Sequence, residues 1–277
     1  MPLQNLAWKS SFFWDGRAPT LRAQVLMPIQ DHTEMDESLT NLIAKLSSTA
    51  MASVPASPTY SRIENENASV LAGTLALPTN NYPALFTAAF GSPEITAEKI
   101  SLALEQFVLT LTSFDSKFDQ AMRGKATLNP SEQRGFELFM TEYEPRTGQF
   151  GADCFHCHGG ADFSTHSFAN NGLDAEPKDA GRAEVTRKDA DRGKFAVPSL
   201  RNVAVTAPYM HDGRFRTLEE VVEHYSSGVR RSDTLDPNLA KHPPGGLQLS
   251  AEDQAALVAF LRTLTDSRYL PGKIGTR

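Results

Sequence analysis

Residues 154–158 read Cys-Phe-His-Cys-His, and this run constrains the chain more than any other. Two thiols three positions apart, followed directly by an imidazole, form the attachment signature of a c-type haem. One helical turn brings both sulfurs to the same edge of the macrocycle, where they add across its vinyl groups. The adjacent ring then lies under the iron. Cys154 and Cys157 are the chain's only two cysteines, so no thiol remains for a disulfide. A Cys-x-x-Cys pair also serves as half of a zinc site, with His156 or His158 as a third ligand. A closed zinc site needs four ligands, and no second pair follows. A thioredoxin-like redox pair expects a βαβ pattern, and none is visible. Haem is the reading these considerations favour.

The rest of the composition is compatible with that reading. The 277 residues suffice for one large domain or two small ones, and 40% are hydrophobic. A formal charge of −6 argues against nucleic acid as a partner. No run of about 20 apolar residues is present, so no membrane span is expected. The stretch Met1-Pro2-Leu3-Gln4-Asn5-Leu6-Ala7-Trp8 has neither the basic nor the apolar region of a signal peptide. Covalent haem attachment normally happens outside the cytoplasm, so a periplasmic or cell-envelope location is expected. A processed or truncated chain reconciles the two.

Hydrophobic spacing predicts helices with little strand. Residues 96–114 read as an amphipathic helix with Ile100, Leu104, Phe107, Val108 and Leu111 on one face. Asn129, Pro130 and Glu132 form a helix start with a capping box, and that helix carries Phe136, Phe139 and Met140 towards the cysteines. Thr217 and Glu220 open another helix, expected to run through Tyr225. Ser250 and Asp253 open a last one, with Leu257, Phe260, Leu261 and Leu264 on one face. Residues 159–208 are rich in Gly, Asp, Asn and Pro without a sustained period. A loop of that length in a compact domain is usually functional. Residues 124–130 read as a boundary between two helical parts.

A haem iron held by His158 has a sixth position to fill. Downstream candidates are His166, Met210, His211, His224 and Tyr225. Leu218, Val222 and Tyr225 share a helical face, which turns Tyr225 inward and His224 about 100° away, towards solvent or the helix flank. An inward Tyr is by default a core residue, and so is Met210.

Several further motifs, in order, resemble one family. They are Phe13-Trp14-Asp15-Gly16-Arg17-Ala18 followed by Gln24, Pro28, Glu34 and Met35; residues 153–160 around the cysteines; Pro198-Ser199-Leu200-Arg201-Asn202; residues 206–214; and the tail 257–266. Together they cover nearly the whole chain. The chain is similar to the bacterial dihaem cytochrome c peroxidases, and more closely to their MauG-like branch. The resemblance implies an all-α fold of cytochrome c-like haem domains with long loops. Residues 1–125 would be the remainder of an N-terminal peroxidatic domain, and 126–277 a C-terminal domain with covalent haem. It also implies hydrogen peroxide as oxidant, and either a small cytochrome or cupredoxin donor or a protein substrate. Homodimers are common in the family.

The site residues follow from the same resemblance. Cys154 and Cys157 would hold the haem, with His158 proximal. The distal ligand in the family lies nineteen residues after the Thr of Thr-x-Pro, which from Thr206 reaches Tyr225. Ordinary peroxidases carry Met at that place and MauG-like proteins Tyr, so Tyr225 is assigned and Met210 kept as the alternative. Trp14 would relay electrons between two haems. Gln24 and Glu34 would face the peroxide-binding first haem, with Glu34 as acid/base; without the resemblance they read as an exposed polar pair. Carbonyls of Thr206 and Pro208 would contribute to a calcium site. A full-length member carries an earlier Cys-x-x-Cys-His, giving two haems; here thirteen residues precede Trp14 and none is Cys or His. A start inside a longer protein is the expectation. A single-haem electron carrier without peroxidase activity is the alternative, and a zinc protein a third, poorer one.

Overall fold

The computed structural model describes residues 2–48 and 81–270. These residues are mostly helical, with strands of only two residues, so the all-α expectation holds. They divide into two compact units, one of residues 20–48 and 81–110, the other of residues 2–19 and 111–270.

The first unit contains α1 (Leu21–Gln24), α2 (Met27–Gln30), α3 (Leu39–Ser47), α4 (Tyr82–Phe90) and α5 (Ala97–Leu109). Ser38 and Thr96 cap α3 and α5 by accepting from the backbone N–H three residues on. Phe86, Ile95 and Ile100 are buried, with Leu42, Ile43 and Leu104 packed against them. The bond from Arg22 Nη2 to Glu105, 2.8 Å long, joins α1 to α5. Two expectations for α5 change. The helix ends at Leu109, short of Leu111, and Phe107 is 48% exposed. Ile100, Ser101 and Val108 are the buried residues, so the buried stripe centres to one side of Phe107 at 100° per residue.

The second unit contains α6 (Lys117–Met122), α7 (Pro130–Met140), α8 (Phe155–His158), α9 (Arg182–Thr186), α10 (Leu218–Glu223), α11 (Pro237–Ala240) and α12 (Ala251–Thr263). The α7 start carries the expected capping box, Asn129 accepting from the Glu132 N–H and Glu132 from the Asn129 N–H. The core joins Leu138 and Phe139 of α7 to Leu257, Phe260 and Leu261 of α12, with Leu264 just beyond. Each such side chain contributes roughly 1.5–3 kcal/mol by leaving water. The two helices meet at Gly135, where a Cβ would lie 2.0 Å from the Ala256 carbonyl oxygen. Met140, expected to be carried towards the cysteines, is 47% exposed at the last position of α7.

The long segment 159–208 is not featureless. Two short strands, Phe168–Ala169 and Phe195–Ala196, pair antiparallel within it, Phe168 opposite Ala196. The segment from Phe12 to Ala18 is fixed onto this pair. The Ala196 N–H donates to the Trp14 carbonyl at 2.7 Å, and Arg182 donates to the carbonyls of Asp15 and Gly16. Among the described residues no helix is long and apolar enough to cross a membrane.

Candidate haem-binding site

The attachment run folds as one helical turn. The His158 N–H donates to the Cys154 carbonyl at 2.9 Å, which closes the turn and stacks both thiols on one side. Burial pushes the Cys154 thiol up to about 12 and the Cys157 thiol to about 11. Redox-active thiols need the opposite shift, so the dithiol-redox reading loses its support. Among the described residues, no cluster of three or more metal-ligating side chains includes a cysteine.

His158 is half-buried, and desolvation of its ring pushes its pKa down to about 4, so the ring is neutral at ordinary pH. Its Nδ1 lies 3.2 Å from the Phe163 carbonyl oxygen. A carbonyl only accepts, so Nδ1 carries the proton and Nε2 keeps a free lone pair. That is the tautomer a metal-ligating imidazole requires.

One cavity takes in Cys154, Cys157, His158, Trp14, Met210, His211 and Tyr225. Phe139, Val197, Leu200, Leu218, Val222, Leu257 and Leu261 supply apolar walls. A flat apolar macrocycle with one ligating ring below it and covalent anchors at its edge fits these donors and walls.

The candidates for the position across from His158 separate by placement. His166 and His224 do not line the cavity. His166 Nε2 lies 3.6 Å from Asp162. His224 is 5% exposed, contrary to the solvent-facing expectation, and its Nε2 donates to the Asn171 carbonyl at 3.0 Å. The cause is packing on that flank, where the Asn171 carbonyl and the Phe215 ring, 5.7 Å away between centroids, cover His224. The α-helix stops at Glu223 and residues His224–Gly228 form a π turn. The following loop clamps this turn. The Leu247 N–H donates to the Tyr225 carbonyl at 3.1 Å, and a Cβ on Gly246, at φ 131°, would lie 2.3 Å from that oxygen.

Tyr225, Met210 and His211 remain on the cavity wall. Burial pushes the Tyr225 phenol up, and a hydrogen bond from the Asn171 side chain works against that shift. Asn171 Nδ2 also lies 3.3 Å from Met210 Sδ, so it engages the sulfur lone pair. His211 stacks flat on Phe195 with ring centroids 3.6 Å apart. Asn171 is a site residue that sequence reasoning passed over. A lone Asn in a polar loop carries no local signal, and only the fold of residues 168–172 brings it to the cavity.

The other expected residues lie elsewhere. Gln24 is half-buried at the end of α1, and Glu34 is exposed in the turn after α2. Pro28 lies within α2. Thr206 and Pro208 follow a short 3-10 turn, and neither lines the cavity.

Comparison with known proteins decides the family. The family model for di-haem cytochrome c peroxidase matches residues 1–127, and that for cytochrome c matches residues 133–265. The methylamine utilization protein MauG of Paracoccus denitrificans is 30% identical over 96% of this chain and 70% of its own length. The chain belongs to the dihaem cytochrome c peroxidase/MauG family. The MauG protein of Methylophilus methylotrophus is 31% identical over 94% of this chain and 65% of its own length. This family member thus spans just under two thirds of the Methylophilus relative. Other matched relatives are cytochrome c peroxidases. A crystal structure described as a MauG-like protein associated with microbial copper homeostasis superposes with a TM-score of 0.70, at 28% identity over 96% of this chain and 74% of the other. The cytochrome c domain implies covalent haem c.

Proposed function

We propose that this chain is the larger part of a MauG-type dihaem oxidoreductase of the periplasm that uses hydrogen peroxide as oxidant. The observation that carries the reading is the shared cavity of Cys154, Cys157, His158, Tyr225 and Trp14. When bound, the haem supplies one-electron redox chemistry at iron. The chain's own residues prepare that chemistry. Cys154 and Cys157 would anchor the ring through their sulfurs. His158 would offer Nε2 to the iron, with its proton held on Nδ1 by the Phe163 carbonyl. Tyr225 would offer a phenol oxygen, as phenolate once its proton is lost. Asn171 favours that loss by donating to the oxygen, and it holds Met210 through the sulfur. A phenolate is a hard anionic donor that favours oxidised iron, whereas a thioether raises the potential.

Trp14 is proposed as the electron relay. Glu34 and Gln24 are proposed to serve a first, peroxide-binding haem, with Glu34 moving a proton between the peroxide oxygens. Thr206 and Pro208 would lend carbonyls to a calcium site, and the domains would divide at residues 125 and 126. A small cytochrome, a cupredoxin or a protein substrate would supply the electrons.

The native protein from its source organism tests this. The expected result is two haems per chain and peroxide consumption that Glu34→Gln lowers by about 10²–10⁴-fold. One haem per chain and no peroxide consumption would select a single-haem electron carrier. That second reading draws on Met210, whose presence on the cavity wall suits a His–Met haem.

A further inference from the structure

Beside the haem-attachment turn lies a cluster that the haem reading leaves unused. Glu142, Asp153 and His156 bring ligand atoms within 4.8 Å of one another. His156 Nε2 lies 3.1 Å from Asp153 Oδ1 and 3.6 Å from Glu142 Oε1. His156 is an interior position of the Cys-x-x-Cys-His run, where haem attachment asks nothing of the side chain.

The second observation is a pair of unsatisfied atoms. The Asp153 side chain is only 2% exposed, yet its Oδ1 has no hydrogen-bond partner. The neighbouring His156 Nε2 is likewise buried and without one. The two atoms are close but not aligned to bond each other. Such orphaned buried atoms are rare and call for an explanation. Asp153 Oδ2, by contrast, is fully engaged by Lys241 Nζ at 2.7 Å and His242 Nε2 at 3.1 Å. Lys241 also reaches Glu142 Oε1 at 2.9 Å. One ammonium against two carboxylates leaves the cluster net negative when the imidazoles are neutral.

We propose that Glu142, Asp153 and His156 form a binding site for a divalent transition-metal ion of the zinc class. Zinc takes imidazole nitrogen and carboxylate oxygen at about 2.0–2.2 Å, so two tetrahedral ligands stand about 3.4 Å apart. The observed separations of 3.1 and 3.6 Å bracket that spacing. One nitrogen and two oxygens form an open three-ligand set, with a fourth position for water. Calcium, which takes 6–8 oxygens, is poorly matched. Asp153 orients the site, because the bonds from Lys241 and His242 to Oδ2 hold its carboxylate in place.

The test uses the haem-loaded protein, in which thioether bonds keep the cysteines from binding zinc. The protein is stripped with a chelator and titrated with zinc at equilibrium dialysis. One zinc per protein chain is expected. His156→Ala and Glu142→Gln should each weaken binding at least about tenfold, with iron content and haem absorbance unchanged. Those two controls report haem loading and folding separately from zinc. Zinc uptake by the wild type no greater than by His156→Ala, or uptake undiminished in both variants, would overturn the proposal.

Discussion

A carbonyl oxygen accepts a hydrogen bond and never donates one, and that asymmetry orders the residues around the cavity. The Phe163 carbonyl fixes the proton of His158 on Nδ1. The Asn171 carbonyl does the same for His224 at Nε2, which ties that ring to a structural bond. The Asn171 amide reaches Tyr225 and Met210 together. Because Asn171 occupies the Met210 sulfur and favours the Tyr225 phenolate, Tyr225→Phe should change the ferric haem spectrum strongly, and Met210→Ala little. A His–Met charge-transfer band in the wild type that Met210→Ala removes would overturn this assignment. The attachment run was legible in the sequence because its spacing is local. Asn171 was not, since its role depends on a chain reversal that brings residue 171 to residues 210 and 225.

At the scale of elements, close approach of helices decides more than propensity. Glycine is a poor helix former, costing about 1 kcal/mol relative to alanine, yet Gly135 lies in the middle of α7. The reason is the Ala256 carbonyl, which would lie 2.0 Å from an added Cβ. Gly135→Ala should therefore destabilise the protein by about 1–3 kcal/mol, read as a lowered midpoint in denaturant, despite its better helix propensity. An unchanged midpoint would mean that α7 and α12 separate more easily than their packing suggests. The capping box at Asn129 and the apolar face of α12 were readable beforehand, since both depend on residues within one or two turns. The π turn after Glu223 was not readable. It stands where the Gly245–Gly246 loop packs against the Tyr225 and Ser226 carbonyls, contacts some twenty residues distant in sequence.

At the scale of the unit built from residues 2–19 and 111–270, buried ion pairs join distant segments. Arg201 donates two bonds to Asp119, at 2.8 and 3.0 Å, and further bonds to the Ala161 carbonyl. Their side chains are 8% and 13% exposed. Burial alone would raise the Asp119 carboxyl. Bonds from Arg201 and Ser116 outweigh it and hold the group below its ordinary 3.8. A depressed carboxylate contributes stability that is complete above its unfolded pKa and lost as pH falls through the lower folded value. Asp119→Asn should thus cost roughly 3 kcal/mol at neutral pH, because it strands a buried guanidinium. The gap between variant and wild type should close in acid, below about pH 4. Denaturant melts at neutral and acid pH measure both, and a gap that persists in acid would contradict the linkage.

By itself the sequence determined the haem-attachment turn, the helical class, the caps and the family, because each is written in neighbouring residues or in the order of short motifs. Tertiary structure alone decided which of five downstream side chains reach the cavity, what holds them there, and why His224 turns inward. It also decided that His156 meets Asp153 and Glu142. Those outcomes depend on packing between segments far apart in the chain, where the period of any single helix carries no information.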